Sequence, residues 1–167
     1  TIRDYCRLFF GPDLAEPAAQ GIMNLEKNFR GPLLTNKTVE QTLMQWQDIE
    51  KKAPQELTLF NFRFQMCLLR AYYDALVQRR LINETALEAR ARELLQNATA
   101  ETIAEAMQQA KEILAQAKQN PVAAALKERC NVLADSLFST IGAQLTVEKH
   151  GGVSGRGNFM DNIDMPL

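Results

Sequence analysis

A chain of 167 residues, 46% hydrophobic and 23% charged, is long enough for one domain with a sizeable core and too apolar to be disordered. Its net charge of -1 lacks the basic excess of a nucleic-acid-binding face, and no polybasic block is present to meet anionic lipid. The pattern predicts an all-α, up-and-down bundle of about five helices over residues 1–150, followed by a Gly-rich tail or connector over residues 151–167.

Residues 1–14 read as an irregular docking lead-in. Tyr5, Leu8, Phe9 and Phe10 are too apolar to stand in water, and Gly11-Pro12 closes the segment. Asp13 and Glu16 are placed to cap a first helix running to about Phe29, with Pro17 tolerated in its first turn. Gly31-Pro32 stops that helix. Asn36 or Thr38 caps the second, with Gln41 placed to complete a capping box with Thr38. Val39, Leu43, Trp46 and Ile49 give the second helix one apolar stripe, and Ala53-Pro54 ends it.

From Leu57 to Val77 the chain is apolar on nearly every side, with neither Gly nor Pro, which predicts a central helix buried by several neighbours. It starts near Pro54 and runs past Leu81. Asn83 is a candidate break, although the helix formers from Glu84 to Gln96 equally allow one long rod. A membrane span is excluded by Asn61, Arg63, Gln65, Arg70 and Asp74, since each charge at mid-bilayer costs roughly 2.5–3.5 kcal/mol. Asn97-Ala98-Thr99 reads as a turn. Ile103, Ala106, Met107, Ala110, Ile113, Leu114 and Ala117 form the stripe of a fourth helix, closed by Asn120-Pro121. Leu126, Cys130, Leu133, Leu137, Ile141 and Leu145 form the seam of the last one. Gly151, Gly152, Gly155 and Gly157 are half of the chain's eight glycines, and they predict a tail that is mobile or ordered by a partner.

The motifs of common chemistries are missing from the sequence. Cys6, Cys67 and Cys130 are an odd, widely spaced set that reads as buried free thiols, with a Cys6 bridge as the alternative. His150 is the one histidine, so neither a di-iron carboxylate site nor a zinc site has its ligands, and no metal or cofactor is expected. His150 reads as a helix C-terminal residue interacting with the last carbonyls. The glycine tail matches no phosphate-binding fingerprint. Asn-x-Thr triplets begin at Asn36, Asn83 and Asn97, where helix capping is the preferred reading over glycosylation.

Arg63, Arg70 and Asp74 are the charged residues of the central stretch. Arg63 and Arg70 lie two turns apart, and Asp74 is one turn beyond Arg70. They predict either an internal polar network, with Glu26, Asp48 or Glu50 as partners, or a cleft for an anionic or hydroxyl-rich ligand. In the second case Tyr72, Tyr73 or Trp46 would supply a stacking surface. An enzymatic variant would pair two carboxyls from Glu26, Glu50 and Asp74.

Residues 4–12, 30–34 and 155–167 (Asp-Tyr-Cys-Arg-Leu-Phe-Phe-Gly-Pro, Arg-Gly-Pro-Leu-Leu and Gly-Arg-Gly-Asn-Phe-Met-Asp-Asn-Ile-Asp-Met-Pro-Leu) resemble a helical region near the C-terminus of large, mostly uncharacterised bacterial proteins. Some of those look like glycoside hydrolases. The resemblance implies an accessory domain of a carbohydrate-processing protein, in a secreted or periplasmic setting, with catalytic carboxylates elsewhere. The start at Thr1 and the stop at Pro166-Leu167 fit a piece of a longer chain. The leading expectation is therefore a non-catalytic packing or interaction domain. Phe9, Phe10, Arg156 and Phe159 would contact neighbouring domains. A partner-binding adaptor with an exposed apolar groove along Leu126 to Leu145 is a further alternative.

Overall fold

The computed structural model describes residues 1–164, which are helical and contain no strand. The described residues form α1 (Ile2–Phe10), α2 (Ala15–Lys27), α3 (Thr38–Lys52), α4 (Gln55–Phe60), α5 (Phe62–Gln96), α6 (Ile103–Gln119), α7 (Ala124–Ile141) and α8 (Val147–His150). Two 3-10 turns, Leu33–Thr35 and Phe159–Asp164, complete the chain. α5 is the hub: α2, α3, α4, α6 and α7 all pack on it, and α1 packs on α2.

The structure corrects three expectations. The lead-in is not irregular, because Thr1 and Asp4 form a reciprocal capping box that starts α1. Cys6 and Phe10, one turn apart, then point into the core, and Leu8 points out. The central helix is not continuous from Pro54. Asn61 takes an extended conformation and its side chain accepts the Phe64 N–H at 3.1 Å while donating to the Phe9 carbonyl at 2.8 Å. Buried Gln65 donates to the Thr58 and Leu59 carbonyls at the end of α4, at 3.1 and 2.9 Å. The interruption is thus satisfied by two side chains. Beyond it, α5 runs 35 residues, roughly 50 Å, straight through Asn83. Only Leu87 and Ala91 are buried in its distal part, where α6 brings Ala106 and Ala110.

The tail is the third correction. α7 stops at Ile141 with Gly142 in the left-handed region (φ 68°), so Leu145 lies outside the helix. The chain then folds back onto its own core. Phe159 meets Tyr73 edge to face at 4.9 Å, and Met160 and Ile163 are buried. Arg80 donates to the Asn162 and Ile163 carbonyls and pairs with Glu84. Residues 159–163 of the tail are therefore packed on the protein's own core, while residues 153–157 are exposed and the last three positions lie outside the described residues.

The capping expectations divide. Asn36 accepts the Thr38 N–H at 2.9 Å and the Thr38 hydroxyl at 2.7 Å, fixing the start of α3. Asn83 is interior to α5, and Asn97 follows its C-terminus, so neither starts a helix. The core centres on Phe10, Trp46 and Phe64, whose rings meet edge to face. Gly21 in α2 lets the Trp46 indole approach, since a Cβ there would sit 3.0 Å from the ring.

Candidate functional site

The predicted site residues separate onto two sides of α5. At 100° per residue, Phe62, Arg63, Met66, Arg70 and Tyr73 share one face, and Tyr72 lies on the far side from Arg70.

Arg70 pairs with Asp74 at 2.5 Å, as the one-turn spacing predicts. Asp74 is buried, and its other oxygen accepts the Asn28 amide at 2.9 Å. Asn28 in turn accepts the hydroxyls of Thr38 and Thr42 at 3.2 and 3.3 Å. This chain of bonds ties α2, α3 and α5 together. Burial raises the Asp74 carboxyl above its ordinary value, against the pull of Asn28 and Arg70. The Arg70 guanidinium also lies 4.3 Å above the Phe29 ring, and its Nε has no hydrogen-bond partner.

Arg63 behaves differently. Its guanidinium lies between the Phe9 ring, at 4.1 Å, and the Phe62 ring, at 4.3 Å. No carboxylate among the described residues pairs with it. The expected partners are used elsewhere or lie outside this network. Asp48 pairs with Lys51, and Glu50 takes Arg129 and the Tyr72 hydroxyl, the latter at 2.7 Å. Burial, then Glu50, pushes the Tyr72 hydroxyl up to about 12, so Tyr72 is a structural donor between α5 and α3. It does not face Arg70. Tyr73 lies on the Arg70 face, half-buried under Phe159. Of the carboxyls suggested for catalysis, Glu50 pairs with Arg129 and Asp74 with Arg70.

The residues expected to dock neighbouring domains meet different fates. Phe10 is enclosed in the chain's own core, and Phe159 packs on Tyr73. Phe9 is half-buried against Arg63, and Arg156 is exposed. Of the stripe from Leu126 to Leu145, Leu126, Cys130, Leu133 and Leu137 are buried in the core, whereas Ile141 is 47% exposed. Sequence reasoning missed that Phe29, Leu59, Phe60 and Met66 are exposed. Leu8 is 76% exposed, Phe60 69% and Phe29 65%, with Leu59 and Met66 also in the open. The Asn61 bond to the Phe9 carbonyl draws the ends of α1 and α4 to the start of α5. The signal was present: Met66 falls three residues after Arg63 and four before Arg70, on one helical stripe.

His150 is not at a solvated helix end. It is buried, with Nε2 3.0 Å from Asp135 and Nδ1 2.9 Å from the Thr146 hydroxyl. Burial alone would raise the Asp135 carboxyl, but hydrogen bonds from Lys149 and His150 outweigh it and hold it below the usual value. This cluster pins α8 to α7. Cys6 and Cys130 are buried and Cys67 is half-buried, all three as free thiols. No group of three or more candidate ligands for a metal ion occurs among the described residues. No helix among them is long and apolar enough to cross a membrane.

One concavity, lined by Glu88, Ala91, Arg92, Leu95, Gln96 and Leu114, lies between α5 and α6. Another, of about 420 Å³, is formed by Val147 and tail residues including Asn158 and Asp161. Neither includes Arg63, Arg70 or Asp74. No family model, curated protein or solved structure matches the chain.

Proposed function

We propose that this chain is a non-catalytic interaction domain, an up-and-down helical bundle that packs against another domain or protein. The observation that carries this reading is the set of large apolar side chains left exposed in the segments around the start of α5, Leu8, Leu59, Phe60 and Met66, with Phe29 over Arg70. Large apolar side chains left exposed on a folded domain are candidates for burial against a partner. The interior polar networks support the same reading, because each closes on partners within the chain and fastens helices together. The resemblance of residues 4–12, 30–34 and 155–167 to an accessory region of large bacterial proteins agrees with it, and would make the partner a carbohydrate-processing domain.

The test is native chromatography with light scattering on the protein as it occurs in its own cells, beside a Phe60→Asp variant. The expected result is migration in a larger assembly, lost in the variant while its circular dichroism is unchanged. Migration of the native protein as a lone chain would overturn the reading.

A further inference from the structure

The three Asn-x-Thr triplets have three different surroundings. The Asn36 amide nitrogen donates to the carbonyls of Lys27, Asn28 and Arg30, at 3.0, 3.1 and 3.4 Å, while its oxygen holds the start of α3. A sugar on that nitrogen would take one of its two hydrogens and crowd the carbonyls around the other. Asn83 is half-buried, and its triplet lies inside the unbroken helix α5. Asn97 is exposed and sits just beyond the last turn of α5. Its backbone N–H closes that turn on the Glu93 and Leu95 carbonyls, and its side-chain amide has no hydrogen-bond partner among the described residues. Helix capping by the side chain therefore does not account for Asn97. Ala98 and Thr99 belong to no helix, and Thr99 is exposed, its N–H donating to the Thr102 hydroxyl at 2.9 Å. The triplet thus occupies the short turn joining α5 to α6, the surface-loop setting in which Asn-x-Thr accepts a sugar.

We infer that Asn97 is an N-glycan acceptor, and that it is the one of the three triplets that carries a sugar in the folded chain. The donor is a sugar linked to a lipid pyrophosphate. The Asn97 amide nitrogen loses one proton and forms a bond to the anomeric carbon. The bond from that carbon to the pyrophosphate oxygen breaks, and the pyrophosphate leaves with the electron pair. The product keeps one N–H, and no hydrogen bond within the chain is lost, because the amide makes none. Asn61 and Asn97 flank the 35 residues of α5, roughly 50 Å apart, so a sugar on Asn97 stands clear of Phe60 and Met66 at the other end. The inference is independent of the interaction-domain reading and compatible with it.

The full chain would be passed through the secretory pathway of a eukaryotic cell behind a cleavable signal peptide. Intact mass is measured before and after an amidase that removes N-glycans and leaves an aspartate at the modified position, which peptide mapping then locates. Chain retained in the cell is analysed in the same way as secreted chain, so a failure of secretion does not hide the result. The expected result is one glycan, at position 97. It should be lost in Asn97→Gln and also in Thr99→Ala, which keeps the asparagine, with the circular dichroism and thermal midpoint of both variants unchanged. Folded chain without a glycan, or with its glycan at position 36 or 83 in place of 97, would overturn the inference. Either failure leaves the interaction domain standing, since that reading is tested by Phe60→Asp at the far end of α5.

Discussion

Replacing Asp74 tests whether burial or the ion pair governs this carboxylate. Asp74 accepts from Arg70 at 2.5 Å and from Asn28 at 2.9 Å. Asp74→Ala leaves the buried Asn28 amide without its acceptor, which costs about 1–3 kcal/mol. Losing the pair with Arg70 adds less than about 1 kcal/mol, because a side chain that is 40% exposed can turn to water. The expected destabilisation is therefore about 1–4 kcal/mol by urea unfolding, with Asp74→Asn costing less because its carbonyl can still accept from Asn28. The pH dependence decides the cause. The folded-state value of Asp74 is raised, burial being the largest influence. A raised carboxyl contributes stability that is fully present below its unfolded value, about 3.9, and is lost as the pH climbs through the folded one. Wild type should thus lose stability relative to Asp74→Asn as pH rises from about 4 toward neutrality. A difference that instead grows with pH would show that Arg70 outweighs burial and refute this reasoning.

Two further outcomes concern the core. Gly21→Ala places a Cβ 3.0 Å from the Trp46 indole, which is fully buried and has little room to retreat. The overpacking, about 1–3 kcal/mol, should exceed the gain of about 1 kcal/mol in helix propensity, so thermal unfolding should shift down; an upward shift would mean that the ring gives way. Cys67 is half-buried, yet burial, with the nearby Cys6 adding to it, pushes its thiol up to about 12. Burial likewise pushes Cys130 to about 12. Neither should react with a disulfide reagent at pH 8 until urea unfolds the chain, and rapid labelling of Cys67 in the folded protein would contradict this.

Helical structure was legible because apolar spacing alone identifies long amphipathic segments. The limits at Asn36-Lys37-Thr38 and Ala53-Pro54 were legible because short side chains and proline act locally, whereas α2 ends at Lys27, ahead of Gly31-Pro32. Other features depended on contacts far along the chain. The break at Asn61 lies inside an apolar run without Gly or Pro, and its amide bonds a carbonyl 52 residues away. The partners of Glu50 were hidden for the same reason: Arg129 is 79 residues distant. α1 was overlooked despite its Thr1 and Asp4 signal, because a cluster of aromatics has no clear period until one knows which side is buried. The tail misled through its glycines, while Phe159, Met160 and Ile163, the residues that dock it, carried the opposite message. At the candidate site, the Arg70–Asp74 pair was readable from spacing, whereas the aromatic stacking of Arg63 needed α1 to be brought beside α5.

The most direct test of the interaction face is a photo-crosslinking residue placed at position 66 of the full chain in its own cells, with position 108 on exposed α6 as the control. An interaction face at Met66 predicts one predominant adduct at 66, absent at 108. Adducts of equal yield and mixed identity at both positions would contradict it.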